Sequence, residues 1–255
     1  MIDTHAHLNH SDFADDTPEA LARALQAGVQ AVVVVGYDPD SNRDAVALAA
    51  TFPQVYATVG LHPHCAASLE EPVLADLRRL GREGKVVAVG ETGLDYFRNL
   101  SPPEEQRRAF RTLIALAAEL DLPLIVHNRE AGEDTLALLA EAELRRPVVM
   151  HCFAGDEAFA AECRRRDYYI GVGGTVTYPK SEDLRRAVAV YPGKRILLET
   201  DAPWLPPQTR RGGRNEPASL PEVAATVAKV RGETLAAIDE QTTANARRVF
   251  GLEAP

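Results

Sequence analysis

The chain opens with Ile2-Asp3-Thr4-His5-Ala6-His7, a short run that ends in two histidines at alternate positions. Alternate residues of a β-strand point to the same side of a sheet and lie about 6 to 7 Å apart. His5 and His7 can therefore direct two imidazoles towards one metal ion. The pattern predicts a strand that ends in a metal site, and it favours a metal-dependent hydrolase.

Further short apolar runs follow, and amphipathic segments separate them. Two of these segments begin with helix-start signals: Thr17-Pro18-Glu19, with proline in the first turn, and Ser101-Pro102-Pro103-Glu104, which is similar to a capping box. Counted from the amino terminus, the predicted strand runs are 2–7, 29–36, 55–60, 86–91, 122–127, 147–151, 168–172 and 195–200.

Strand runs that alternate with helices are typical of parallel crossover units, and eight of them suffice to close a (β/α)8 TIM barrel. A length of 255 residues is also typical of such a barrel. We therefore predict an α/β fold with one barrel domain over residues 1–255. An open, doubly wound sheet is the alternative, because periodicity alone does not prove closure.

Composition and charge narrow the class of protein. The chain is 45% hydrophobic and 25% charged, which is ordinary for a globular protein. Its formal net charge of -9 argues against a broadly basic surface that grips duplex DNA. Nucleic-acid chemistry remains compatible with this charge, because bound cations can dominate the potential within one acidic cleft.

Three cysteines, an odd number without zinc-ribbon spacing, indicate a reducing compartment. The sequence shows neither a long apolar segment nor a basic region followed by an apolar run at the amino terminus. We therefore expect a cytoplasmic protein with no membrane association.

Residue types that ligate metals recur where the predicted strands end, which is where a barrel assembles its active site. A single histidine at a strand end is more often structural than a ligand, but several coincidences favour a metal centre. The residues concerned are His5, His7, Glu91, His127, His151, Glu199 and Asp201.

Longer motifs resemble those of the TatD-type metal-dependent hydrolases and deoxyribonucleases, a family within the amidohydrolase-like barrels. The resemblance extends over nearly the whole chain, and together its motifs are highly specific. They are Asp3-Thr4-His5-Ala6-His7-Leu8, Gly60-Leu61-His62-Pro63, Gly90-Glu91-Thr92-Gly93-Leu94-Asp95-Tyr96, the His127 segment, His151-Cys152-Phe153, Glu199-Thr200-Asp201-Ala202-Pro203 and Arg214-Asn215-Glu216-Pro217.

The resemblance implies two divalent ions per chain. One would be held by His5, His7, Glu91 and Asp201, and the other by Glu91, His127 and His151, with Glu91 shared between them. Asp201 would be the general base, and Glu91 the second catalytic carboxylate. Mixed imidazole and carboxylate ligands do not select one metal, so Mg, Mn, Zn, Co and Ni all remain candidates.

The resemblance also implies hydrolysis of phosphodiester bonds by a metal-activated water, as a 3'-5' exodeoxyribonuclease that prefers single-stranded DNA ends. Arginine forks suit phosphate oxygens, and exposed aromatic rings suit unpaired bases. The predicted substrate contacts are His62, Arg129, Glu199, Trp204 and Arg214. His10 and His64 are interpreted as ordinary loop histidines, and no obligate protein partner is expected.

Two alternatives remain open at this stage. The first keeps the barrel and the metals but acts as an esterase, lactonase or deacylase on a small molecule or on a charged tRNA. The second is a metal-binding accessory protein without turnover. Ala6, Asn128 and Trp204 depart from the residues common at their positions in the family, but none of them removes a predicted ligand.

Overall fold

The computed structural model describes residues 1–252, which form eight β-strands and nine α-helices. Each of the first seven strands is followed by one helix, and the last strand by two. The strands are β1 Ile2–Ala6, β2 Ala31–Val35, β3 Val55–Val59, β4 Val86–Asp95, β5 Leu124–Arg129, β6 Val148–Met150, β7 Tyr169–Val172 and β8 Ile196–Leu198. The helices are α1 Thr17–Gln26, α2 Pro39–Thr51, α3 Glu71–Leu80, α4 Pro103–Leu120, α5 Gly132–Ala140, α6 Glu157–Arg165, α7 Glu182–Val190, α8 Leu220–Arg231 and α9 Leu235–Phe250.

The described chain divides into two compact units. The first unit is Met1–Val33 with Cys152–Pro255, and the second is Val34–His151. In each unit the order of the strands in the sheet follows their order in the chain. The prediction of one domain over residues 1–255 stays a prediction, and its last three residues lie outside the described part.

In the first unit, β1 lies beside the segment that follows β8. Asp201 donates its backbone N–H to the carbonyl of His5 at 2.9 Å, and His7 donates its own to the carbonyl of Ala202 at 2.7 Å. Strands β7 and β8 pair in parallel, and α8 and α9 pack beside β8. Fully buried Leu8, Phe13, Ile170 and Ile196 contribute to the core of this unit. The end of β1 is thereby joined to the turn that contains Asp201.

In the second unit, β3, β4, β5 and β6 are parallel neighbours. Phe110 and Leu113 of α4, with Leu124 and Ile125 of β5, are among its fully buried side chains. Strands that are buried on both faces need continuous apolar runs and not an alternation of apolar and polar residues. The sequence segments of these strands have such continuous runs. The carboxyl ends of the strands therefore lie along one edge of this part of the sheet.

Strand β4 corrects one sequence prediction. We expected the run to end at Glu91, but β4 continues to Asp95. The pairing with β5 shifts register between Val89 and Thr92 and then resumes up to the pair Asp95–Arg129. A local irregularity re-aims side chains without ending the strand. Glu91 therefore lies within a strand, not at its end.

Helix starts were predicted with mixed success. Helix α1 begins at Thr17 with proline in its first turn, as expected. Helix α4 also begins where predicted, but it has no side-chain cap, so the capping-box prediction is wrong. The Ser101 hydroxyl instead donates to the carbonyl of His64 at 2.8 Å and accepts from the N–H of Ala67 at 3.2 Å. Ser101 thus anchors the loop after β3.

Among residues 1–252, the structure contains no helix with the length and apolar character needed to span a membrane. Within the same residues, Cys65, Cys152 and Cys163 are not joined by disulfides.

We predict that Gly93→Ala strongly destabilises the protein. Gly93 has φ +143°, and a Cβ atom there would lie 2.0 Å from the carbonyl oxygen of His127 on the neighbouring strand. The Cβ would meet backbone atoms, which cannot rotate away as a side chain could. The clash should therefore lower the free energy of unfolding by about 3 kcal/mol or more. Urea denaturation measures it. Gly84→Ala is the control, because its Cβ would meet nothing within 4 Å; equal stability of the two variants would contradict the prediction.

Candidate metal centre

Three predicted ligands meet in the first unit. We call His5, His7 and Asp201 the β1 cluster. The two histidine Nε2 atoms are 3.1 Å apart, and Oδ1 of Asp201 lies 3.7 Å from Nε2 of His5 and 3.4 Å from Nε2 of His7. All three residues are buried. Two imidazoles and a carboxylate oxygen thus converge on one point, as the alternation of β1 predicts.

A buried carboxylate next to this cluster holds it in place. Asp3 accepts hydrogen bonds from the N–H of Thr200 at 3.0 Å, from its hydroxyl at 2.6 Å and from the N–H of His5 at 3.3 Å. Burial raises the pKa of Asp3 to about 8, against the lowering effect of these hydrogen bonds. Asp3 therefore joins β1 to the strand-end segment that carries Asp201, a role that the sequence did not assign to it.

Asn215 explains part of the Arg214-Asn215-Glu216-Pro217 motif. Its side chain is fully buried, and Nδ2 donates to the carbonyls of Thr200 and Trp204, both at 2.8 Å. Its backbone N–H donates to the carbonyl of Pro203 at 3.0 Å. Asn215 thus holds the loop around Asp201 in a single conformation.

A second group of ligand-type residues lies in the second unit. We call His62, Glu91, His127 and His151 the β4–β5 cluster. Oε1 of Glu91 lies 2.7 Å from Nδ1 of His127, 3.0 Å from Nε2 of His151 and 3.6 Å from Nε2 of His62. Sequence analysis named His62 as a substrate contact, and the structure places it within reach of the same carboxylate.

The ionisation of this cluster follows from its burial and its charges. Burial would raise the pKa of Glu91, but the charge of His151, with hydrogen bonds from His127 and His151, outweighs burial and holds the pKa well below its usual range. Burial lowers the pKa of His62 to about 3, so its imidazole is neutral and keeps a lone pair. Glu91 is consequently an anion, which suits a cation ligand.

His127 behaves differently from His62. Burial lowers its pKa, but hydrogen bonds with Asp95 and Glu91 outweigh burial and raise the pKa above the ordinary value. A proton on Nδ1 competes with a cation for the same lone pair. Binding of an ion at this nitrogen therefore releases a proton.

Sequence analysis missed Asp95 and did not predict its contact with His64. Asp95 is 1% exposed, and its Oδ2 lies 2.9 Å from Nε2 of His64 and 3.4 Å from Nε2 of His127. Its Oδ1 accepts the N–H of Arg98 at 2.8 Å. A carboxylate on the outer nitrogen of a metal-binding histidine fixes the tautomer and the ring orientation. Extending β4 beyond Glu91 would have revealed Asp95, because residues 91, 93 and 95 alternate along one strand.

The residues fit divalent ions. A tetrahedral ion with bonds of about 2.1 Å separates its ligand atoms by about 3.4 Å. The distances in the β1 cluster range from 3.1 to 3.7 Å. In the second unit, ligand atoms of His62, Glu91 and His127 all lie within 4.8 Å of one another. Three protein ligands leave a coordination position open, which is typical of catalytic and not of structural sites.

The other predicted substrate contacts lie in different environments. Trp204 is 42% exposed, and its ring centroid is 4.8 Å from that of His7 and 5.2 Å from that of His10. Glu199 is 1% exposed, and its Oε1 accepts the N–H of Cys152 at 2.5 Å. Trp204 therefore presents a surface next to a ligand, whereas Glu199 is buried. Their contacts with substrate stay predictions.

Arg214 acts as a structural brace in this structure. Its guanidinium donates to both oxygens of Asp16 at 2.7 Å and lies 4.3 Å above the ring of Phe13. Arg23 also donates to Asp16, at 3.0 Å, and to Glu216. These contacts occupy the hydrogen-bonding edge that phosphate would need. Contact of Arg214 with substrate stays a prediction.

We predict that Asp16→Asn lowers the unfolding free energy by about 0.5 to 1 kcal/mol at pH 7, as is usual for partly exposed ion pairs. Hydrogen bonds from Arg214 and Arg23 hold the pKa of Asp16 below its ordinary 3.8. The stabilisation by these ion pairs is therefore complete above pH 3.8, the ordinary pKa of the group. It is lost as the pH falls through the lowered pKa. The difference between the two proteins should be constant from pH 7 to about pH 4 and should shrink at lower pH. Urea titrations of both proteins down to about pH 2 measure it, and a difference that grows in acid would contradict the prediction.

We predict that Asp201→Asn weakens metal binding in the β1 cluster by more than about 100-fold, because even outer partners of ligands contribute 10- to 100-fold. Calorimetric titration of chelator-treated protein with Mn²⁺ and Zn²⁺ measures the affinity. Asp44→Asn is the control, because Asp44 is exposed on helix α2. Identical titrations of the two variants would show that Asp201 is not a ligand.

Comparison with known proteins agrees with this geometry. Residues 2–251 match the family described as TatD related DNase. The chain is 39% identical to the uncharacterized metal-dependent hydrolase YabD of Bacillus subtilis, over 99% of both chains. It is also 39% identical to the 3'-5' ssDNA/RNA exonuclease TatD of Klebsiella pneumoniae, over 99% of this chain and 98% of that protein.

The solved structure of YjjV, a TatD homologue from Escherichia coli, has the same fold. Its TM-score is 0.95 at 34% identity, covering 99% of this chain and 98% of that one. The prediction of an α/β fold of the (β/α)8 barrel type is thereby confirmed. With the family match over nearly the whole chain, this shows that the protein belongs to the TatD-related DNase family of metal-dependent hydrolases.

Proposed function

We propose that this enzyme is a 3'-5' exodeoxyribonuclease that removes nucleotides from single-stranded DNA ends. The observation that carries the proposal is the presence of two imidazole–carboxylate clusters, one buried and one partly buried, each with ligand spacing that suits a divalent ion. The relative named as a 3'-5' ssDNA/RNA exonuclease supports the choice of substrate. The esterase or deacylase alternative remains as an outcome of the test below.

We assign the ligands as the sequence predicts. His5, His7 and Asp201 hold one divalent ion, and Glu91, His127 and His151 hold another. Such ions lower the pKa of a bound water and neutralise charge on a phosphoryl group. The sharing of Glu91 by both ions stays a prediction from the family resemblance, as does the choice among Mg, Mn, Zn, Co and Ni.

The protein's own groups then have distinct tasks. Asp201 accepts the proton of the attacking water at a carboxylate oxygen, and its Oδ1 lies 3.7 Å from Nε2 of His5 and 3.4 Å from Nε2 of His7. Oδ2 of Asp95, 3.4 Å from Nε2 of His127, favours the tautomer with the proton on that nitrogen, which leaves Nδ1 directed towards Glu91. His62, neutral in the β4–β5 cluster, accepts a hydrogen bond or ligates at Nε2.

Preference for single strands follows from charge and from exposed rings. A net charge of -9 disfavours wide contact with duplex phosphates. The exposed Trp204 next to His7 offers a face for an unpaired base. Nucleic acid is thus the proposed substrate, and a cytoplasmic location remains our prediction.

We predict that chelator-treated protein cleaves 3'- and 5'-labelled single-stranded oligonucleotides only after Mg²⁺, Mn²⁺ or Zn²⁺ is restored. Asp201→Asn and Glu91→Gln should each lower the rate by at least about 100-fold, as expected for loss of a base or of a metal ligand. Gel ladders measure the rate and the direction of digestion.

Asp44→Asn is again the control, and duplex oligonucleotides test strand preference. Small carboxylic esters and a charged tRNA are tested as alternative substrates. Turnover of these substrates alone would replace the nuclease assignment with the esterase or deacylase alternative. Absence of turnover in every arm, with metal bound, would indicate an accessory protein.

A further inference from the structure

An exposed aromatic ring lies next to the β4–β5 cluster and has no structural role in it. Phe97, in the loop between β4 and α4, is 53% exposed. The guanidinium of Arg129, the last residue of β5, lies 4.0 Å from the centroid of its ring. We call Phe97 and Arg129 the ring–guanidinium pair.

The pair is fixed relative to the predicted ligands by the strands that carry it. Asp95 pairs with Arg129, and Gly93 pairs with His127, in the register of β4 and β5. Tyr96 donates its N–H to the carbonyl of Arg129 at 2.9 Å. Arg129 is two residues beyond His127 on the same face of β5, so it originates about 7 Å further along the strand.

Arg129 also differs from two arginines of helix α4. Arg107 is paired with Asp134 at 3.3 Å, and Arg111 with Glu141 at 2.9 Å. No carboxylate among residues 1–252 forms an ion pair with Arg129, although its side chain is exposed. Stacking on Phe97 occupies the flat face of the guanidinium and leaves its N–H edge available for an anion.

We propose that the ring–guanidinium pair is a nucleobase-stacking subsite. A base of single-stranded nucleic acid stacks on the exposed part of the pair, and the adjoining phosphate binds the N–H edge of Arg129. The proposal rests on the nuclease function and deepens it by naming where the substrate is held. Stacking tolerates any base, so the subsite takes purines and pyrimidines alike.

The size of the exposed surface favours a base over a protein partner. In the second unit, only Phe97 and the neighbouring Leu100 are large hydrophobic residues with extensive exposure among those described. A specific protein interface needs about 800 Å² on each partner, far more than one ring and one aliphatic side chain supply. A single nucleobase is large enough to cover the ring of Phe97. The guanidinium of Arg129 beside it can bind the phosphate of the same nucleotide.

The test uses a short single-stranded DNA with 2-aminopurine at its 3' end, because stacking quenches the fluorescence of this base. Chelator-treated protein prevents cleavage during the titration. Phe97→Leu should weaken binding by about tenfold and remove most of the quenching, since base–aromatic stacking contributes a factor of about 5 to 100. Phe97→Trp keeps a ring and should restore both. Leu100→Ala is the matched control from the same loop and should behave as the unmodified protein.

Cleavage with metal restored gives a second, independent readout. Phe97→Leu should raise KM for the oligonucleotide more than it changes kcat, and should lower the preference for it over methyl 4-nitrophenyl phosphate, a phosphodiester without a base. If Phe97→Leu quenches the 2-aminopurine fluorescence as strongly as the unmodified protein does, the proposal of the subsite is wrong. Ring-dependent quenching without any cleavage would instead keep the subsite and contradict the nuclease function.

Discussion

The site in the second unit depends on one buried anion. Glu91 is 3% exposed, and a carboxylate without compensation at that depth would be neutralised by a rise in pKa. The imidazoles of His151 and His127, within hydrogen-bond distance of its Oε1, supply the compensation and hold the pKa low instead. The need to keep this charge buried thus explains why histidines from several strand ends converge here. The same donors and acceptors are those that bind a divalent cation, so structural compensation and metal affinity have a common origin.

The first unit also buries a carboxyl group, but it surrounds this group with neutral partners, and the pKa rises. Asp3 is fully buried, and its neighbours are the N–H and hydroxyl of Thr200, not cations. The raised pKa reflects this difference, because hydrogen bonds offset only part of the cost of burial. What this arrangement provides is geometry: His5 and Asp201 lie on segments that Asp3 joins directly. A link of this kind keeps three ligand atoms 3.1 to 3.7 Å apart without a charged partner.

The sequence predicted the eight strands, their alternation with helices and most residues of the two clusters, because apolar runs and metal-ligand residue types are local signals. It did not predict that β4 passes through Glu91 to Asp95, since a shift in register has no counterpart in hydrophobic periodicity. Asp95 was therefore missed, and with it the position of His64 beside Asp95. The capping role given to Ser101 failed for a related reason: a loop 34 residues away competes for the same hydroxyl. Partners distant in sequence decide these cases.

The distribution of arginine partners shows how an acidic protein can still present cations to a polyanion. Arg214 and Arg129 are both strand-end or loop arginines that sequence analysis treated alike. The carboxylate of Asp16 occupies the hydrogen-bonding edge of Arg214, whereas an aromatic face supports Arg129 without neutralising it. A guanidinium stacked on a ring keeps its full charge and its N–H donors, and loses only conformational freedom. A net charge of -9 therefore says little about local affinity for phosphate. That affinity depends on which arginines lack a carboxylate partner, and only the folded chain determines this.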